Sequence, residues 1–285
     1  MPRPVLGARG RGVLLVLVAI TTLQLGAAFA VTLFDDAGPA GTAAMRLGIA
    51  AVVLLVVWRP RLRARTRGDL ATVAAFGLAL CTMNVAIYLA MQRIPIGVAV
   101  TIEFAGPLAV AVALSRRALD LVWVVLAGAG ILLLTNPFGA SGLDPGGIAL
   151  ALAAAVAWAA YIPISARTGR LFPGGQGLAL AMLVGALVVA PFGIAQAGSA
   201  LLDPGVLASG ALVALASSIV PYSLELESLR RIPQRVFGVL MSLEPAVAAL
   251  AGLIVLGQGL AARELVAIAI VITASAGAAA GAEGP

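Results

Sequence analysis

Histidine and lysine are missing from this chain, cysteine occurs once, as Cys81, and charged residues of either sign make up only 11% of it. Without histidine there is no imidazole general base and no histidine metal site. A single cysteine excludes intrachain disulfides and cysteine-zinc clusters, so neither a metal nor another cofactor is expected. The shortage of charge, together with 62% hydrophobic residues and a mean hydropathy of +1.10, excludes a water-soluble globular surface. The net charge of +6 comes from arginine alone, which in a soluble chain would suggest nucleic acid. Here the arginines sit between apolar runs, so they report topology, and no nucleic-acid partner is expected.

What the chain does have is long apolar runs. A bilayer crossing takes about 20 residues, and runs bounded by Pro, Gly or charge place helices at roughly 13–33, 40–58, 70–91, 96–114, 119–135, 146–166, 176–195, 204–228, 234–255 and 262–281. With a cytoplasmic N-terminus, the inside segments hold Arg3, Arg9, Arg11, Arg59, Arg61, Arg63, Arg65, Arg67, Arg116, Arg117, Arg167, Arg170, Arg230, Arg231 and Arg235. The outside loops hold only Arg93 and Arg263, alongside Asp35, Asp36, Asp144, Asp203 and Glu264. This asymmetry predicts an all-α polytopic membrane protein with ten transmembrane helices and both termini in the cytoplasm. Arg3, Arg9 and Arg11 before an apolar stretch ending in Ala28-Phe29-Ala30 also look like a cleavable signal peptide. The stretch from Val13 is long enough to span, so it is read as the first helix.

Gln92-Arg93-Ile94-Pro95 and Arg230-Arg231-Ile232-Pro233 each follow one apolar helix and introduce another. The same offset of 138 pairs Val98 with Val236 and Pro107 with Pro245. The chain therefore reads as two related halves, 1–138 and 139–285, of five helices each. An odd number per half forces the second to enter the membrane in the opposite sense. Inverted repeats of this kind occur in secondary transporters, with the substrate site near the midplane between the halves.

Ionisable residues at bilayer depth cost at least about 2.5–3.5 kcal/mol on insertion scales and mark a cavity or a partner. Glu103, about 10 Å into the fourth span at the helical rise, and Glu244, near the middle of the ninth, are the candidates. Each is followed by a proline, Pro107 and Pro245, that frees a carbonyl in the preceding turn. The bland alternative is that each glutamate caps a kink or pairs with Arg46. Arg46 itself, about a third of the way into the second span, reads as snorkelling outward or packing, with ligand contact as the alternative. Polar stripes at helical spacing comprise Thr21, Gln24 and Ala28; Cys81, Asn84 and Tyr88; Trp158, Tyr161 and Ser165; and Ser218, Tyr222 and Glu225. They suit either a narrow wet cavity or contacts between helices. Glu225 and Glu227, close to Arg230 and Arg231, read as a solvated ion-pair cluster, and Gly277 and Gly281 as a close-packing G-x-x-x-G.

Four blocks together carry a family resemblance: Met83-Asn84-Val85-Ala86-Ile87-Tyr88, Ile102-Glu103-Phe104-Ala105-Gly106-Pro107-Leu108-Ala109-Val110, Val220-Pro221-Tyr222-Ser223-Leu224-Glu225, and Arg235-Val236-Phe237-Gly238-Val239-Leu240-Met241-Ser242-Leu243-Glu244-Pro245. Over essentially its full length the chain resembles the threonine/homoserine exporter group of EamA-type carriers in the drug/metabolite transporter superfamily. The resemblance implies two inverted five-helix repeats in a bacterial inner membrane, monomeric or homodimeric. It also implies export of small amino acids or related metabolites, driven by protons. Two departures stand out: Ala28 replaces a serine common in the first helix, and Gln258-Gly259 replaces a Gly-Glu pair after the ninth.

An amino acid offers an ammonium and a carboxylate that both lose water when a site closes, so the cavity must supply an anion and several donors. Glu103 or Glu244 would meet the ammonium and carry the coupling proton. Asn84, Tyr88, Tyr222 or a helix end opened by a proline would meet the carboxylate, with Gln24, Trp158, Tyr161 and Ser242 completing the candidate substrate-binding set. A broad drug or metabolite exporter, or an importer of the same fold, is the alternative. A membrane-embedded enzyme would need an acidic cluster, metal ligands or an activated nucleophile near an interface, and no such motif occurs.

Overall fold

The computed structural model describes residues 8–61, 65–113, 119–135 and 143–281. Every element among the described residues is helical: α1 (Ala8–Thr32), α2 (Phe34–Trp58), α3 (Arg67–Met91), α4 (Ile96–Glu103), α5 (Ala105–Ala113), α6 (Leu119–Thr135), α7 (Pro145–Leu171), α8 (Gln176–Ala197), α9 (Pro204–Ala214), α10 (Val220–Leu229), α11 (Gln234–Met241), α12 (Glu244–Leu256) and α13 (Ala262–Gly281). A 3-10 turn, Gly198–Leu202, follows α8, and a π-helical turn, Leu215–Ile219, joins α9 to α10. Seven helical segments among the described residues are long and apolar enough to cross a bilayer, and Ile96–Val110 and Leu121–Leu134 are shorter apolar helices. The chain is a multi-pass membrane protein. Arg3, Arg63, Arg116 and Arg117, four of the arginines used to orient it, lie outside the described residues.

Helix starts follow their capping chemistry. Thr66 and Asp69 form a reciprocal capping box on α3, and the Asp144 and Asp203 carboxylates accept from the first-turn N–H groups of α7 and α9. Two further starts are capped from a distance. The Gln196 side chain of α8 accepts from Ala40 N at 2.8 Å, just past Gly38, whose φ of 65° and ψ of 167° break the first turn of α2 in a region open only to glycine. Gln258 accepts from Ile96 N at 3.0 Å and so caps α4. That is the structural role of one departure from the family pattern. Ala28, the other, is fully buried and does not line the cavity described below.

The fourth and ninth apolar runs are not continuous helices. α4 stops at Glu103 and α11 at Met241, each four residues before a proline, Pro107 and Pro245, that has no N–H to return to that carbonyl. The boundaries recur along the chain: α3 ends at Met91 and α10 at Leu229, and α4 spans Ile96–Glu103 as α11 spans Gln234–Met241, all 138 residues apart. The preceding prolines match as well, with φ/ψ of −54°/141° at Pro95 and −59°/146° at Pro233.

Packing repeats the same pattern. α3 lies along α7 and α10 along α1, while α2 and α8 pack on each other and so do α6 and α13. α1 is thus part of the bundle, with Val16, Ala19, Ile20, Ala28 and Ala30 fully buried. Small residues allow the closest approaches. A methyl at Gly97 would lie 2.8 Å from the Ala249 Cα, and Gly277 lies against the Trp123 ring of α6, the packing within one chain expected of that glycine.

Candidate functional site

The broken helices converge on a cavity of about 380 Å³, within the size range of small-molecule sites. All nine residues singled out from the sequence line it: Gln24 from α1, Asn84 and Tyr88 from α3, Glu103 at the end of α4, Trp158 and Tyr161 from α7, Tyr222 from α10, Ser242 at the α11–α12 break and Glu244 at the start of α12. Several lining residues are 138 apart: Leu23 and Tyr161, Asn84 and Tyr222, Ile87 and Glu225, Val100 and Gly238, Glu103 and Met241, Phe104 and Ser242. Glu103 and Glu244 are not equivalents of each other. The position matching Glu103 is Met241, and the one matching Glu244 is Gly106.

The stripes divide once the helices pack. In α1, Thr21 is exposed and bonds back to the Leu17 carbonyl, and only Gln24 reaches the cavity. In α3, Cys81 packs toward Gly185 of α8, while Asn84 gives one amide N–H to the Leu80 carbonyl and keeps another. In α7, Ser165 bonds back to the Ile162 carbonyl. Phe104 meets Trp158 edge-on with ring centroids 5.4 Å apart, which holds the indole against the α4–α5 break.

Two readings from the sequence are corrected. Arg46 does not snorkel to an interface: it is 5% exposed, lines the cavity, and donates from Nε to Ser218 Oγ at 3.0 Å, from Nη1 to Tyr88 Oη at 3.1 Å and from Nη2 to the Ser217 carbonyl at 2.8 Å. That carbonyl lies four residues before Pro221, which has no N–H to give it, and within the π turn. Glu225 and Glu227 do not form one solvated cluster. Glu227 accepts from Arg231 Nε at 3.0 Å and from Arg230, and these hydrogen bonds hold its carboxyl below the usual carboxylate range. Glu225 faces the cavity instead. Residues two apart on a helix point to nearly opposite sides, which is the signal that separates them.

Among the described residues, four buried side-chain oxygens have no hydrogen-bond partner: Gln24 Oε1, Ser217 Oγ, Glu244 Oε1 and Ser275 Oγ. Three of these residues, Gln24, Glu244 and Ser275, line the cavity. A buried polar group without a partner costs about 1–3 kcal/mol, so oxygens of this kind on cavity-lining residues suit a ligand or water that donates hydrogen bonds. Neither glutamate pairs with Arg46: the ion pairs among the described residues are Arg93 with Asp144, and Glu227 with Arg230 and Arg231. No group of metal-binding side chains occurs among the described residues.

Comparison with known proteins agrees with this architecture. A solved crystal structure matches with a TM-score of 0.61 at 18% identity, over 92% of this chain and 95% of that one, which supports the fold alone. Residues 145–279 match the model of the EamA-like transporter family. The threonine/homoserine exporters RhtA of Salmonella typhimurium (strain LT2) and Escherichia coli (strain K12) are each 42% identical over 268 residues, 93% of this chain and 90% of theirs. With that identity along nearly its whole length, and a cavity between broken apolar helices, the chain belongs to the EamA-like transporter family.

Proposed function

We propose that the protein exports small amino acids of the threonine/homoserine type from the cytoplasm across a bacterial inner membrane, in exchange for protons. The observation that carries this reading is a cavity lined by the buried carboxyls of Glu103 and Glu244 and by Gln24 and Ser275, whose side-chain oxygens have no partner. An ammonium group satisfies such acceptors, and Glu103 or Glu244 receives it. Tyr222 and the free N–H of Asn84 are donors in the same cavity, and Trp158, Tyr161, Gln24, Ser242 and Tyr88 shape the remainder. The names of the similar exporters point to the same substrates.

The chain acts as two inverted five-helix repeats, 1–138 and 139–285, that make ten membrane crossings with both termini in the cytoplasm. Helix boundaries and cavity residues recurring at an offset of 138 support this division, as does a family match that begins at α7. The discontinuous helices at Phe104 and at Ser242-Leu243 supply the yielding points about which the halves rock to open the cavity to each side in turn. Glu103 and Glu244 carry the proton: a carboxyl that takes it up from outside as the amino acid leaves releases it inside as the next amino acid binds.

The test is efflux of radiolabelled threonine and homoserine from loaded proteoliposomes, with and without an inward proton gradient. Gradient-stimulated efflux is expected from the native chain. Glu103→Gln and Glu244→Gln each reduce it by about tenfold or more, the equivalent of a charged hydrogen bond worth ~1.5–3 kcal/mol. Unchanged proton-coupled efflux in both variants would sink the coupling assignment. If the intact native chain moves neither amino acid, the substrate is another metabolite or drug.

A further inference from the structure

The geometry points to Arg46 as the residue that binds the carboxylate of the transported amino acid. This inference rests on the amino-acid reading above and adds the group that fixes the orientation of the substrate. Among the described residues, Arg46 is the one guanidinium that lines the cavity. A buried charge is strongly unfavourable unless it is paired and hydrogen-bonded. Arg46 is hydrogen-bonded, to Ser218 Oγ, Tyr88 Oη and the Ser217 carbonyl, yet none of these carries a charge. No carboxylate lies within ion-pair distance of it among the described residues, although Glu103, Glu225 and Glu244 line the same cavity. The cation is therefore held in place by neutral groups and its charge is left for something else.

The three contacts also aim it. A guanidinium carries five N–H groups, one on Nε and two on each terminal nitrogen. Nε–H is taken by Ser218, and one N–H on each of Nη1 and Nη2 is taken by Tyr88 and by the Ser217 carbonyl. One N–H remains on each terminal nitrogen, two charged donors of the kind that a carboxylate accepts. The acceptor for Nη2 exists because Pro221 cannot use the Ser217 carbonyl. The position matching Arg46 at the offset of 138 is Val184, which does not line the cavity, so the anion site occurs on one side only. The unpartnered oxygens of Gln24, Glu244 and Ser275 come from α1, α12 and α13, and Arg46 comes from α2. A zwitterion bound between acceptors and cation has one orientation.

Displacement of radiolabelled threonine from the purified full-length protein tests this. The competitors are unlabelled threonine and threoninol, which keeps the ammonium and hydroxyl and replaces the carboxylate with an alcohol. For the native chain, threoninol is expected to need about a tenfold to hundredfold higher concentration than threonine, the value of a charge-assisted pair. In Arg46→Gln, threonine weakens by that factor, threoninol changes little, and their ratio falls toward one. Arg46→Lys, which keeps the charge without the fork, retains part of the ratio, and it carries the test if the glutamine variant does not fold. A native ratio near one overturns the assignment. A ratio that survives intact in Arg46→Gln also overturns it, because an arginine that only ties α2 to the π turn would lower stability for every ligand alike. Absence of threonine and homoserine binding to the native chain would overturn the amino-acid reading together with this one, whereas threonine binding without discrimination overturns this one alone.

Discussion

The buried charge of Arg46 sits where neutral groups hold it. Arg46 shares three hydrogen bonds with Tyr88, Ser217 and Ser218, and Tyr88 is itself fully buried, packed at 5.5 Å on the Phe34 ring. Tyr88→Phe removes one acceptor and leaves a buried N–H unpaired. It should lower stability by about 1–3 kcal/mol, seen as a lower midpoint of thermal unfolding in detergent. Glu225 and Glu227 make a sharper contrast, because they are neighbours in sequence with different surroundings. Glu225→Gln alters a cavity wall and should reduce threonine efflux, whereas Glu227→Gln touches only the exposed arginines and should leave efflux within about twofold of native, since exposed ion pairs are worth little. The carboxyl of Glu227 titrates below its ordinary value, so the pair stabilises the fold above that range and is lost as the pH falls through it. Efflux measured on the two variants side by side separates the roles.

At the scale of an element, prolines decide where a helix gives up a carbonyl and something else takes it. Pro221 leaves the Ser217 carbonyl to Arg46 within a π turn. Pro221→Ala restores an N–H at that position and lets the turn relax toward regular helix, in competition with Arg46. Efflux should fall by several-fold, about 1 kcal/mol, with the protein still folded by near-ultraviolet circular dichroism. Close contacts between elements set the other limit. Gly97 has the Ala249 backbone 2.8 Å from where a methyl would sit, on the face where α4 packs on α12. Gly97→Val should cost about 1–3 kcal/mol by overpacking, again read from the thermal midpoint, with α4 pushed away from α12.

Taken whole, the bundle has several helix ends and cavity residues that recur 138 positions apart, while the charged cavity residues Arg46, Glu103 and Glu244 have uncharged counterparts at that spacing. The ten-crossing arrangement predicts that Arg61 faces the cytoplasm and Ser199, in the turn after α8, faces outward. Cys81 is the chain's only cysteine and is buried, so Cys81→Ala provides a background for single additions. In right-side-out vesicles a membrane-impermeant maleimide should label Ser199→Cys at once and Arg61→Cys only after permeabilisation. The reverse pattern would invert the topology and the direction of transport inferred from it.

The apolar runs were legible in the amino-acid sequence because each span must satisfy its own backbone, so helical segments follow from composition and punctuation alone. The breaks near Glu103 and Glu244 were legible for the same reason, since a proline removes a specific hydrogen bond wherever it stands. Gln24, Asn84, Tyr88, Trp158, Tyr161 and Tyr222 are marked by polarity at helical spacing, Ser242 by the family block that also holds Glu244, and they share one cavity. Thr21, Cys81 and Ser165 carried the same signal and face elsewhere, because periodicity gives the face of a helix but not its neighbour. Arg46 had the depth of a functional residue, yet whether its long side chain reached an interface or turned inward depended on Ser217, Ser218 and Tyr88, which arrive from other helices. The sequence by itself determined a membrane-embedded helical carrier with buried carboxyls. Only the packing of α2 against α3 and the π turn decided which charges share the cavity, because those contacts join residues 42 to 172 positions apart.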